Sequence, residues 1–300
     1  MNLLKENENI ILFNVENDGE SLEEFLFSCG VSGRLFKKLY REKSIFINGE
    51  FKRKSQEVKV GDIVAIVMND EKENVLPEPI PLDIIYEDMD LLVVNKEPFI
   101  VVHPTKSHQE GTLSNGISYY FKAKGINKKI RFVNRLDMDT SGILIVAKSP
   151  FAHQRMALQF ENNEVEKKYM AVVSGVVKND EDIIDLPIGR EEEKSIRKTV
   201  TEEGKRAITK YRVIERYKNA TLLDVQIFTG RSHQIRVHLH HIGHPIIGDT
   251  LYYEPSRYID RQALHSYYLK AKLPRSNREI ELNADLPKDI VNLLQILKEE

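Results

Sequence analysis

The chain has a single cysteine, Cys29, among 300 residues. One thiol excludes an intrachain disulfide and any cysteine-based zinc site. Such sparing use fits a reducing cytoplasm. Long apolar runs are missing as well. The longest are strand-sized pieces such as Ile143 to Ala147, far short of the roughly 20 residues a membrane helix needs. The opening stretch Met1–Glu8 is polar and acidic, so neither a secretory leader nor a membrane partner is expected. A charge excess is the third absence. The 44 basic side chains face 46 acidic ones, a net −2, which removes any argument from bulk basicity to nucleic acid. What is present excludes disorder: 41% hydrophobic residues, with 12 Tyr and 12 Phe, suit a globular chain of one or two domains.

The charge distribution says more than the sum. Residues 1–30 hold seven acids and one Lys, residues 31–60 nine Lys/Arg and three acids, residues 61–90 nine acids and one Lys. A basic block between two acidic ones is local charge with a local job. Ser21-Leu22-Glu23-Glu24 reads as a capping box opening a short helix that Gly30 ends. A second helix starts near Ser32. On it Arg34, Lys37, Lys38 and Arg41 fall at i, i+3, i+4 and i+7, one face, with Leu35 and Leu39 on another. Asn48-Gly49 marks a hairpin turn after Ile45-Phe46-Ile47, and the return adds Lys52, Arg53 and Lys54. A solvated helix face is the ordinary meaning of such charges. Four cations with no acid among them, and three more in the hairpin, favour RNA or another polyanion.

Residues 69–81 carry three prolines and four acids, and read as a linker. The predicted domains are 1–72 (core about 18–68) and 82–300, with the linker at 73–81. Strands are predicted at Ile84–Tyr86, Leu91–Val94, Ile143–Ala147, Tyr169–Val173, Thr209–Val213 and Leu222–Phe228, helices at 151–161, about 232–242 and 287–298. Strands in hairpin-like pairs argue for an α+β fold with a mixed, largely antiparallel sheet flanked by helices and loops.

Two segments could carry chemistry. Arg131 to Gly142 packs arginines, Asp137, Asp139, Thr140 and Ser141 before a buried strand. Its start matches a calcium loop, but the twelfth position is Lys148, so the calcium pattern fails. The structural alternative is a capped turn, with Asp137 paired to Arg135 and Asp139 or Ser141 capping amides. Thr229 to Pro245 holds five histidines within twelve residues. Zinc needs three or four convergent ligands, and Gly243-His244-Pro245 breaks the helix that would gather them. Histidines used for hydrogen bonding and helix termination fit better, and no metal is assigned. Gly230-Arg231 could hold a carboxylate, with Asp137 the candidate partner. Lys122, Lys124, Lys128, Lys129, Arg131 and Arg135 precede Asp137 without an acid. Lys194 to Arg216 adds eight Lys/Arg against three acids. Such patches could line a phosphate groove.

Asn134-Arg135-Leu136-Asp137-x-Asp139-Thr140-Ser141-Gly142 resembles the His-Arg-Leu-Asp-x-x-Thr-Ser-Gly signature of the RluA-type pseudouridine synthases. Tyr86 to Lys96, continued through Val102-His103-Pro104, resembles that family's first motif. Lys168-Tyr169 resembles its Lys-Tyr pair. Thr229 to Arg236, continued to Gly243–Asp249, resembles its third motif. Leu264-His265 and Leu286-Pro287-Lys288-Asp289 resemble its closing motifs. Residues 18–68 resemble an S4 RNA-binding domain. The resemblance spans nearly the whole chain. Four positions depart from it: Asn134 stands for the usual His, Glu97 separates Lys96 from Pro98, Ser232 stands for Thr, and Ser21-Leu22-Glu23 replaces Arg-Leu-Asp.

The resemblance implies isomerisation of uridine to pseudouridine in structured RNA, ribosomal RNA ahead of tRNA, by a cytoplasmic monomer that uses no cofactor. It implies Asp137 as nucleophile, Tyr169 stacked on the base and aiding the proton step, and Arg231 as the cation paired with Asp137. Arg135, which helps hold a flipped-out nucleotide, and His233, Gln234 and Arg236 would bind substrate. Arg34, Lys37, Lys38, Arg41, Lys52 and Arg53 would bind RNA. The competing expectation is an RNA-binding protein of the same fold without turnover.

Overall fold

Ser21 opens the first helix as its neighbours dictate. Its side chain accepts from the Glu24 amide while the Glu24 carboxylate takes the Ser21 amide, the reciprocal capping box. Asn48 and Gly49 both adopt left-handed backbone, φ 50° and 84°, the turn that matches strand twist in a two-residue hairpin. The computed structural model describes residues 5–105, 109–190, 192 and 195–300. Met1 to Leu4 and Lys194 of the basic stretch lie outside the described residues.

The N-terminal unit runs β1 (Ile10–Asn14), α1 (Leu22–Ser28), α2 (Gly33–Arg41), β2 (Ile45–Ile47), β3 (Glu50–Phe51) and β4 (Ile63–Val67). Its sheet has the order β1-β4-β2-β3. Leu22, Leu26, Leu35 and Leu39 bury against Ile11, Ile45 and Ile66, each burial worth about 1.5–3 kcal/mol before entropy. Those leucines repeat at helical spacing, which turns the cations of α2 outward.

The remainder runs β5 (Asp83–Glu87), β6 (Leu91–Lys96), α3 (Leu113–Lys124), β7 (Arg131–Phe132), β8 (Ser141–Ala147), α4 (Pro150–Glu161), β9 (Glu166–Ser174) and β10 (Glu181–Asp185). It continues through β11 (Ile188–Arg190), β12 (Lys198–Val200), β13 (Ile208–Arg216), β14 (Ala220–Ile227), α5 (Gln234–His241), β15 (Leu264–Lys272), β16 (Glu279–Asn283) and α6 (Lys288–Glu299). The main sheet has the order β10-β13-β14-β9-β15-β8-β6-β5, with β7 on β8 and β16 on β15. Its pairs are antiparallel except β15 with β8, the mixed sheet the pattern predicts. Ile143–Ala147 is buried on both faces, because α3 and α6 cover one side and α4 the other.

Helix α3 is not expected from the sequence. Its Leu-Ser-Asn-Gly start is a weak helix former. Thr112 and Asn115 compensate with a reciprocal capping box. The stretch predicted as a linker is laced across this helix: Asn115 Nδ2 donates to Leu76 O (2.8 Å) and Ser118 Oγ to Val75 O (2.7 Å). The N-terminal unit is clasped to the sheet as well. Arg275 donates to Asp90 (2.9 Å), Ile10 O (2.9 Å) and Asn7 O (2.9 Å). Lys148 binds Glu87 (2.7 Å) and reaches Glu8 (3.5 Å), and Phe151 of α4 packs edge-on to Phe13.

Where β8 meets β15, Gly142 lies opposite Ser266 at φ 115°. A Cβ there would stand 2.2 Å from the Ser266 carbonyl oxygen, so only glycine allows the two strands to touch.

Candidate active site

The loop between β7 and β8 presents Asp137. Asn134 anchors its start: Nδ2 donates to Ile143 O (3.0 Å) and Oδ1 accepts from Ile145 N (2.9 Å). The side-chain amide thus continues the β7–β8 ladder as a peptide group would. Leu136 is buried. The Lys96 ammonium donates to Met138 O (2.7 Å), Glu97 O (2.8 Å) and Ile100 O (3.2 Å). Arg261, wholly buried, donates to Asp139 O (3.0 Å) while gripping Asp289 through two nitrogens (2.6 and 2.9 Å). Gln262 reaches Thr140 Oγ1 (3.1 Å). The carboxylate is therefore presented from a braced turn.

Asp137 Oδ2 accepts from Arg236 Nη1 at 3.0 Å. The other edge of Arg236 makes a fork with Asp249, 2.7 Å at each contact, and Asp249 is fully buried. A guanidinium with both edges used is a fixed cation. The Tyr252 ring lies under it, 5.1 Å from the centroid. The sequence points to Arg231 as this partner and to Arg236 as a substrate contact, and the structure reverses the pairing. Arg231 precedes α5, is exposed, and donates Nε to Arg206 O (3.0 Å). Arg236 sits in the first turn of α5, whose inward face carries Ile235, Arg236 and Leu239 into the fold.

Gln234 is corrected too. Its Oε1 accepts from Thr229 Oγ1 and Arg231 N, and its Nε2 donates to Ile208 O and Thr209 Oγ1. All four positions of the amide are used internally, so it braces the loop and has nothing left for a ligand. His233 adopts left-handed backbone (φ 58°), and its Nε2 lies 3.9 Å from Asp137 Oδ2. Lys198 N donates to Tyr252 Oη (2.8 Å), and the same hydroxyl lies 2.9 Å from His233 Nδ1. Burial holds His233 below the ordinary histidine range.

Tyr169 on β9 is buried, and burial pushes its phenol up to about 12, with Ser266 bonded to the hydroxyl and Asp137 nearby. Among the described residues Asp139 caps no amide. Its Oδ1 is buried without a hydrogen-bond partner, and burial holds its carboxyl above the usual range. Ser141 bonds His265 (2.9 Å) and not the turn. His238 bonds Thr209 and Leu186 O, and His244 bonds Ser174 O, so these histidines of the cluster are spent on structure.

A cavity of about 510 Å³ opens in front of Asp137, walled by Arg135, Lys167, Tyr169, Arg231 and His233. Its size suits a nucleotide-sized ligand. A second cavity, about 610 Å³, lies between α2 and α4. Arg34, Lys37, Lys38 and Arg41 line it together with Arg131 and Glu71. Glu71 takes Arg131 (2.5 Å) and approaches Lys38 (3.9 Å). The hairpin is less free than its sequence suggests: Lys52 pairs with Glu50 (2.5 Å) and Lys54 with Glu23 (3.2 Å). Sequence reasoning placed Lys96 and Asp249 inside matched motifs without giving them a role, and passed over Lys167, Tyr252 and Arg261. Of these Lys167 carried a signal, because it stands two residues before Tyr169 on one strand.

Known proteins are similar to this chain in sequence and fold. Residues 90–241 match the RNA pseudouridylate synthase family model. The uncharacterized RNA pseudouridine synthase YlyB of Bacillus subtilis is 40% identical over 94% of this chain and 96% of its own length. The ribosomal large subunit pseudouridine synthase D of Escherichia coli K12 is 35% identical over 86% and 83%. Among solved structures, human RNA pseudouridylate synthase domain containing 4 superposes with a TM-score of 0.61 at 25% identity, over 72% of this chain and 93% of that one. The loop, the cavity and these likenesses agree: the chain belongs to the RNA pseudouridine synthases of the RluA family and isomerises uridine in RNA.

Proposed function

We propose that the substrate is large-subunit ribosomal RNA and that Asp137 is the nucleophile. The observation that carries this reading is the Asp137 carboxylate, fixed by Arg236 at 3.0 Å and opening onto a nucleotide-sized cavity. A carboxylate nucleophile splits one difficult step into two easier ones. The N1–C1′ bond breaks, the uracil turns, and a C5–C1′ bond forms. C5 then gives up its proton and N1 gains one. Arg236 holds the carboxylate through Nη1 at 3.0 Å, and the His233 ring stands 3.9 Å from it. Tyr169 supplies a stacking face, and a phenol held near 12 keeps its proton at neutral pH. In this reading the Asp137 carboxylate, once released, takes the C5 proton, and water supplies the proton that N1 gains.

A uridine inside folded RNA must leave its stack, at a cost of a few kcal/mol. Arg135, exposed beside Asp137, is placed in this reading where the base departs. The N-terminal unit acts as an S4-like RNA-binding module through the cationic wall of α2. Ribosomal RNA is favoured because a relative named for the large ribosomal subunit aligns along 86% of the chain. Pseudouridine mapping of total RNA from cells with and without this protein tests the reading. One or more large-subunit sites should disappear. Loss confined to tRNA would overturn the ribosomal assignment, and no loss at all would overturn the activity in cells.

A further inference from the structure

Among the described residues the buried cations of this fold have an oxygen partner, with one exception. Arg236 has Asp137 and Asp249, Arg261 has Asp289, Lys148 has Glu87, Lys96 has three carbonyls, and Lys128 has the Asn9 amide oxygen. Lys167 is 7% exposed. Its ammonium sits over the Phe160 ring, 5.3 Å from the centroid, and among the described residues no carboxylate pairs with it. Burial alone acts on its charge and holds it below the usual lysine range. Its neighbour shows the ordinary solution. Lys168, on the opposite face of β9, pairs with Glu166 at 2.9 Å and lies over Tyr268.

Strand alternation puts Lys167 and Tyr169 on one face, and both wall the cavity that holds Asp137. A largely buried lysine whose ammonium has no anion is costly, and a ligand that brings the anion to the cavity relieves that cost. The substrate is RNA, whose anion is the phosphodiester. Lysine takes a phosphate as a point charge that needs no fixed orientation. We infer that Lys167 is a phosphate-binding residue, holding a backbone phosphodiester that flanks the target uridine. Its place beside Tyr169 positions the sugar while the base lies against the ring. This rests on uridine entering the cavity, and the probes below report that separately.

Calorimetric titration of the full chain with uridine and with uridine 3′,5′-bisphosphate tests the inference. The wild-type chain should bind the bisphosphate at least tenfold tighter than uridine. Lys167→Met, which keeps length and apolar stem, should cut that ratio at least fivefold while uridine binding and melting temperature hold or rise. Lys167→Arg should restore most of the ratio, and Lys168→Met should leave it intact. The inference is overturned by a wild-type ratio near one, or by a Lys167→Met ratio equal to wild type. It is also overturned if Lys167→Met melts lower and loses both probes equally, which would mark a packing role under Phe160. Failure of uridine itself to bind wild type would count against the cavity as the uridine site.

Discussion

Arg236 bridges two carboxylates, holding Asp249 through two nitrogens at 2.7 Å and Asp137 through the third at 3.0 Å. Removing it strands the fully buried Asp249 as well as freeing Asp137. Arg236→Ala should lose pseudouridine formation and about 3–5 kcal/mol of stability. Arg236→Lys keeps a charge without the fork and should fall between. Arg231→Ala leaves the bridge intact, so its melting temperature should match wild type, and its loss should appear as weaker RNA binding. Thermal melts beside single-turnover assays decide the matter. An Arg231→Ala enzyme that binds RNA normally yet does not turn over would restore the pairing with Arg231.

Asp137→Asn keeps shape and most hydrogen bonds but cannot attack as a carboxylate. Tritium release from C5-labelled uridine in RNA should cease, with RNA affinity within a few-fold. Asp139 sits with one oxygen buried and unbonded and a carboxyl pushed upward by burial. Asp139→Asn should be the milder change. A dead Asp139→Asn beside an active Asp137→Asn would exchange their roles.

Asn134 spends its amide on Ile143 and Ile145 of β8. Asn134→Ala leaves two backbone groups short of a partner, a loss of about 1–3 kcal/mol. Denaturant titration should show that loss, while turnover per folded molecule stays within a few-fold. Full stability in Asn134→Ala would mean that the ladder does not need the amide.

His265 is neutral and buried, its pKa lowered to about 4 by burial, between Ser141 Oγ and Ala284 O. Unfolded histidine titrates near 6.5. Between those values the unfolded chain binds a proton that the folded chain refuses, so stability falls as pH drops from about 6.5 to 4. The histidine accounts for on the order of 3 kcal/mol of that fall. His265→Gln removes the titration, and its stability against pH should be flatter across this window. An equal slope in both proteins would place the acid sensitivity elsewhere, for instance in His238, which burial also depresses.

Arg34, Lys37, Lys38 and Arg41 share one cavity wall. Replacing all four by Gln should weaken RNA binding and flatten its salt dependence by roughly 0.7–0.9 log units for each phosphate no longer neutralised. Glu71 already engages Lys38 at 3.9 Å, so Lys38 should contribute least. An unchanged slope in filter-binding titrations would remove α2 from the RNA interface.

Features set by a few neighbouring residues were legible in the sequence. The Ser21 capping box, the Asn48-Gly49 turn, the cationic face of α2 and the loop holding Asp137 each need only local rules. What was illegible depends on direction. Arg231 and Arg236 lie five positions apart, and the start of α5 decides that the second points inward. Lys167 and Lys168 differ by one residue, and strand pairing alone sends one into the cavity and the other to Glu166. Gln234 resembles a ligand contact until Ile208 and Thr209, distant in sequence, take its amide.

The clasp made by Arg275, Lys148 and Phe151 leaves little room for the N-terminal unit to swing. An RNA touching both the α2 wall and Asp137 must bring two of its own elements to a set separation. Under the proposed function the enzyme works as a calliper, selecting a uridine by how far it stands from a second landmark in the folded RNA. Sequence around the uridine then matters less than the architecture that presents it.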